Sequence, residues 1–231
     1  MGNAVVIRKH AACVELVLNR PDHKNAIDLD MADQLATAIE SVNDDDDTRV
    51  VILRGEGGAF CSGLDLNMLK SGPDARARFS TLWNRVHTGL IRSDKVFIAA
   101  MERFAVNGAA SLAIAADFLI CGRSAFLQIG EIKLGMAAPR NLAWLALRHS
   151  EAVAARLCLI GDRVDAQELY RLGIANEVVA DDEVIERARA LAERIAAHPA
   201  NGIRVIKQGI RAAFCRRPPA AWFEACEVSD L

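Results

Sequence analysis

Four aliphatic residues in a row, Val50–Leu53, stand between Arg49 and Arg54. A run of that length, bounded by charge, reads as a strand buried on both faces. Val96–Ala100 and Asp117–Cys121 have the same character. Earlier, Ala4–Lys9 and Cys13–Leu18 alternate or run apolar, with a short connection at His10–Ala12. The turn signal Arg20-Pro21-Asp22 follows them. Helical spacing takes over between the strands. Leu35, Ile39 and Val42 line one face of a helix that Asp28 or Asp30 can cap. Residues 75–91 form a second helix, and Ala109–Ala116 a third made of small residues. The remainder is mostly helical, over about 140–148, 151–160, 166–171, 182–197 and 201–214. Gly173, Pro199 and Pro218-Pro219 punctuate it.

Strands therefore concentrate before residue 130 and helices after it. The order predicts a mixed α/β core with a helical C-terminal segment. No repeat at solenoid periods is evident, and no clean linker divides the chain. The four aspartates Asp44–Asp47 read as a solvated turn. They have no glycine or downstream glutamate at calcium-loop spacing.

Composition narrows the function classes. The chain has 231 residues, 52% of them hydrophobic and 25% charged, which excludes wholesale disorder. A formal net charge of −2 provides no general field for a nucleic acid. A local basic strip remains at Arg204, Lys207, Arg211, Arg216 and Arg217. It reads as a solvated or subunit-facing helix face, or as a contact for ligand phosphates. The longest uncharged stretch, Phe104–Ala116, is too short to span a bilayer, and the N-terminus carries no secretory h-region. Six cysteines at wide, irregular spacings argue against a disulfide framework and for a reducing, cytoplasmic setting. The five histidines show no ligand-like pairing with cysteine, so no metal site is expected.

Two segments share one local form, a strand feeding a glycine-bearing turn that opens a helix. They are Val50–Leu66 and Val96–Ala116. A helix start leaves N–H groups unpaired and favours negative charge, so two facing starts can hold an oxyanion; the same glycines can also simply make turns. Gly55, Gly57 and Gly58 give no dinucleotide fingerprint, and no P-loop or nucleophile elbow occurs. Ser62 has no evident base nearby. His87 shares a helix face with Trp83 and reads as a core or surface histidine. Glu131 is more distinctive. It follows the apolar run Ala125–Gly130, and a carboxylate in such surroundings rises toward general-base range. An edge-strand glutamate paired with Lys133 or an arginine fits the same residues, and both readings stay open here.

Five segments together carry a family resemblance. They are Leu18–Ala26, Arg49–Gly55 with Ala59–Leu66, Ile98–Ala100 through Ala105-Val106-Asn107-Gly108, Gly130–Gly135, and Leu159–Arg163 with Ala166 and Gly173–Val179. In these the chain resembles the enoyl-CoA hydratase/isomerase, or crotonase, family. The resemblance implies an α/β spiral of repeated β-β-α turns over residues 1–180. It implies a helical segment over residues 181–231 that serves oligomerisation and covers the coenzyme A pocket. It implies an acyl-CoA thioester as substrate, with no separate cofactor, and a homotrimer or dimer of trimers. The Leu64 N–H would be one oxyanion donor and Glu131 a catalytic glutamate. Lys24, Ala26, Ser62, Gly63, Asp65, Leu66 and Gly108 would contact the substrate.

The chain departs from the family pattern in one loop. About five residues are lacking between Ala110 and Ser111, a boundary placed to within a few positions. They include the glycine that would give a second oxyanion N–H. Ser111 falls where a second catalytic glutamate would stand, and a serine is no acid at neutral pH. A glycine pair near the water site is replaced within Ala137–Asn141. Hydration of a 2-enoyl-CoA is the activity implied first. A double-bond isomerase using Glu131 alone, or a catalytically impaired binder of coenzyme A, are the alternatives. Three explanations stay open: a truly shortened loop that leaves half an oxyanion hole, a helix start at Gly108–Ser111 that supplies the second donor in another way, or a loop of the encoded protein that this sequence lacks.

Overall fold

The computed structural model describes residues 2–70, 72–214, 221 and 223. The buried runs form the centre of a six-stranded sheet. Strands β1 (Val5–His10) and β2 (Cys13–Leu18) make an antiparallel hairpin at its edge. β3 (Val50–Gly55) and β4 (Val96–Met101) then add in parallel, each buried at every position. Covering both faces demands this near-continuous apolar content. One face carries α1 (Leu29–Asn43), which packs on α3 (Pro73–Arg92). Asp28, not Asp30, caps α1, accepting from the Met31 N–H at 2.8 Å. α2 is the short turn Leu66–Leu69.

The spiral appears in how later strands are shared between two sheets. After β4 the chain turns into β5 (Phe104–Val106), which belongs to a second, small sheet, and then into α4 (Gly108–Ala115). β6 (Phe118–Gly122) returns to the large sheet, and β7 (Phe126–Gln128) pairs with β5. Each of these two turns thus contributes one strand to each sheet. α5 (Pro139–Arg148), α6 (Glu151–Ile160), β8 (Arg163–Asp165), α7 (Ala166–Arg171) and β9 (Glu177–Val179) follow. β8 closes the small sheet and β9 the large one, so strands also occur after residue 130.

α8 (Val184–Ala196) lies on the other face of the large sheet. Val184, Ala188, Leu191 and Ala192 pack there against Val50, Ile52, Ile98 and Ile120. α9 (Ala200–Phe214) is tied down by charge. Buried Lys207 pairs with Asp117 at 2.6 Å, and Arg148 reaches the same carboxylate at 3.2 Å. These cations hold the Asp117 pKa at about 2 against the opposing effect of burial. The basic strip is therefore no uniform exposed face. Lys207 is internal, while Arg216, Arg217, Cys215 and Cys226 lie outside the described residues. Cys13, Cys61, Cys121 and Cys158 are buried free thiols. Among the described residues no helix is long and apolar enough to cross a membrane, and no group of three metal-ligating side chains occurs.

Candidate active site

The segment 61–65 gets its shape from pairing with residues 24–27. Ser62 N–H donates to the Lys24 carbonyl, Ile27 N–H to Gly63, and Asp65 N–H to Ile27. Neighbouring N–H groups along an extended chain point to opposite sides. Leu64, between Gly63 and Asp65, therefore turns its N–H away from Ile27. That N–H has no acceptor among the described residues. Gly63 is required by its backbone. Its φ is +94°, and a Cβ there would stand 2.6 Å from the Val106 carbonyl oxygen.

The facing element is the start of α4. Asn107 precedes it with φ +53° and does not cap it, because its side chain is used elsewhere. Asn107 Oδ1 accepts from the Gly130 N–H at 2.8 Å, and its own N–H donates to Gln128. The first-turn N–H of Gly108 has no acceptor among the described residues, as expected at a helix start. A Cβ on Gly108 would meet Leu64 Cδ1 at 2.8 Å, so glycine lets the two donor segments approach.

Between them lies a cavity of about 270 Å³. Ser62, Leu64, Asn107, Gly108 and Glu131 line it, with Phe79 and Trp83 from α3 and Leu134–Asn141 less Gly135 from the opposite wall. Glu131 opens a 3-10 turn, Glu131–Leu134, held at its far end by Gly135 in the left-handed region. Burial pushes the Glu131 pKa up to about 7, with its own backbone N–H and then the Asn141 amide drawing it partly back. Asn141 Nδ2 donates to Glu131 Oε1 at 3.2 Å and to the Asn107 carbonyl at 3.1 Å. Lys133 does not neutralise Glu131; it pairs with Asp162 at 2.6 Å. The edge-strand reading of Glu131 is thereby replaced by a desolvated carboxylate in a cavity.

Ser111 is not part of this lining. It is fully buried one turn into α4, and its hydroxyl donates back to the Gly108 carbonyl at 2.6 Å. His87 Nε2 stands 3.2 Å from the same hydroxyl, and Trp144 Nε1 donates to His87 Nδ1 at 2.9 Å. An indole nitrogen only donates, so Nδ1 is an acceptor and the proton of the neutral ring sits on Nε2. His87 therefore donates to Ser111 and cannot take its proton. Burial drives the His87 pKa well below its usual value, with Arg140 adding to the effect. The sequence position that would carry a second carboxylate is thus a closed internal network.

A family model described as enoyl-CoA hydratase/isomerase matches residues 8–225. The chain belongs to that family. Members of the enoyl-CoA hydratase/isomerase family act on acyl-CoA thioesters as lyases or isomerases. The 1,2-epoxyphenylacetyl-CoA isomerase of Escherichia coli (strain K12) is 32% identical over 204 residues, 86% of this chain and 78% of that protein. The carnitinyl-CoA dehydratase of Proteus mirabilis is 32% identical over 214 residues, 92% of this chain and 82% of that protein. A crystal structure of an enoyl-CoA hydratase/isomerase from Mycobacterium paratuberculosis superposes with a TM-score of 0.89 at 27% identity, covering 98% of this chain and 92% of that one.

The residues expected at the substrate fall into two groups. Ser62, Gly63, Leu64, Gly108 and Glu131 are brought together around the cavity or its wall. Lys24, Ala26 and Asp65 are not among the residues lining it and lie on the two segments joined by the Ile27–Leu64 bridge. Lys24 is exposed, whereas Asp65 is engaged by Arg20 at 3.3 Å. Leu66 starts α2, and its side chain lies outside the described residues. Asn107 and Asn141 were the residues without a chemical signal in the sequence. Asn107 stands out only as part of a turn and of a segment that carries the family resemblance, and Asn141 only as a departure from the family pattern.

Proposed function

We propose that this chain adds water to, or removes it from, a 2-enoyl-CoA thioester, with Glu131 as acid and base and the Leu64 and Gly108 N–H groups as oxyanion donors. The observation that carries the reading is Glu131. It is half-buried, its pKa is pushed up to about 7, and it lines the same cavity as Leu64 and Gly108, whose N–H groups have no acceptor among the described residues. A carboxyl poised near neutrality both takes and returns a proton at physiological pH. Attack of water at C3 sends the double-bond electrons toward the thioester oxygen, and fixed N–H donors stabilise that charge without reorganising. The start of α4 thus replaces the missing loop as the source of the second donor. Coenzyme A enters as part of the substrate, its chain running along residues 24–26 and 62–66, with Lys24 near the phosphates.

Isomerisation of a 3-enoyl-CoA is the second reading. It is favoured by the absence of a second carboxylate from the cavity lining among the described residues, since one carboxylate suffices to move a proton between C2 and C4. Purified protein given crotonyl-CoA and a 3-enoyl-CoA separates the two, with Glu131→Gln as control. Undiminished turnover in that variant removes Glu131 from the mechanism. Self-association as a homotrimer or dimer of trimers is supported by exposed apolar side chains beside the site, Ile132, Leu134, Leu159 and Ile160. Light scattering tests it, and a monomer at all concentrations would overturn it.

A further inference from the structure

Two oxygen atoms at the candidate site are buried and accept no hydrogen bond among the described residues. They are Glu131 Oε2 and Asn141 Oδ1. Both residues line the same cavity. The orientation of the Asn141 amide follows from its neighbours. One end stands 3.1 Å from the Asn107 carbonyl and 3.2 Å from Glu131 Oε1, both acceptors, so that end is the nitrogen. Oδ1 is thereby committed to the other side as an acceptor with no donor. Asn141 is only 2% exposed, so bulk water does not serve it. Buried acceptors are almost always satisfied in folded chains, and two open ones in one cavity mark a place for a molecule with two donors.

We propose that Asn141 is a catalytic residue: its Oδ1 and Glu131 Oε2 together hold the two hydrogens of one water molecule for addition to the enoyl thioester. The inference rests on the hydratase reading and extends it. The water oxygen bonds to C3 while Glu131 takes one of its protons. The double-bond electrons pass to the thioester oxygen, giving an enolate held by the N–H donors. Glu131 then returns that proton to C2, and the second hydrogen, held until then by Asn141, stays on oxygen as the product hydroxyl. One water is consumed and no charge is left over. Asn141 thereby does from α5 the water-holding work for which α4 offers no carboxylate.

Two reactions of the same purified chain test this. Hydration of crotonyl-CoA needs the bound water. Exchange of the C2 hydrogens of butyryl-CoA with D2O, followed by proton NMR, needs Glu131 and the oxyanion donors but no attack at C3. Asn141→Ala should lower hydration about tenfold more than exchange, the effect of one lost hydrogen bond in the transition state. Asn141→Asp keeps an oxygen at this place and should return the ratio of the two rates toward wild type, even where both rates fall. If Asn141→Ala does not fold, Asn141→Leu, of nearly equal volume and without the oxygen, gives the same comparison. An unchanged ratio in the oxygen-free variant overturns the role of Asn141, because the residue then merely braces Glu131. A wild-type chain that exchanges C2 hydrogens but does not hydrate overturns the hydratase reading together with it.

Discussion

Glu131 and Ser111 stand at the two places where the chain could carry acid–base chemistry, and their surroundings are opposite. Ser111 is fully buried with its hydroxyl engaged on both sides, to Gly108 and to His87. Glu131 keeps one oxygen open in a cavity. The Ser111 network resists change because every polar atom in it has a partner. The Glu131 site is costly for the fold, since burial opposes its charge. Reactivity follows unsatisfied burial, and rigidity follows satisfied burial.

Replacing both groups makes the contrast measurable. Glu131→Gln should lower turnover of an enoyl-CoA by about 10²–10⁴-fold, the span typical of a lost general acid–base group, with the fold intact. Steady-state kinetics alongside circular dichroism reads both. Ser111→Glu restores a second carboxylate by type but places it against a neutral histidine and a carbonyl. It should cost about 3 kcal/mol or more in urea unfolding and yield no gain in hydration. A gain in rate there would show that the α4 side is open after all. Ser111→Ala leaves the His87 Nε2–H unpaired and should cost about 1–3 kcal/mol in the same measurement, with a smaller loss of rate than Glu131→Gln.

The pH dependence has opposite sign at the two places. Glu131 has a folded pKa of about 7, above its ordinary 4.5. Between those values the folded chain holds a proton that the unfolded chain has released, so stability falls as pH rises through this window. Glu131→Gln should therefore melt higher than wild type at pH 8 and close to it at pH 4.5. His87 has a folded pKa well below its ordinary 6.5. Its contribution weakens the fold as pH falls below 6.5, so His87→Gln should flatten the acid side of the melting curve. Catalysis tracks only the first group, and kcat/KM for hydration should rise with pH through about 7.

The large elements were legible because their patterns are long. The apolar run at Val50–Leu53 and the helical spacing of Leu35, Ile39 and Val42 each repeat a period often enough to be read. β5, β7, β8 and β9 have three residues each, too few for any period; the first three surfaced only with the small sheet and β9 only at the edge of the large one. Glu131 was legible because a charge stands out in an apolar run. Asn141 was not, since its role depends on the Asn107 carbonyl and Glu131, which are 34 and 10 positions away. The burial of Lys207 was likewise hidden, because its partner Asp117 lies 90 residues earlier. Spacing along a chain reports local order. It carries little about partners that only folding brings together.

The junction at Asn107 has an evolutionary consequence. This one residue bonds to Gln128, Gly130 and Asn141 and also leads into Gly108. The Glu131 turn and the Gly108 N–H therefore hang from a shared hinge pin. A lineage that retunes one must disturb the other, so substitutions around Asn107 should combine non-additively. Paths to a new acyl specificity would then run through other lining side chains, Phe79, Trp83, Leu134 and Met136, for which no hydrogen bond to Asn107 occurs among the described residues.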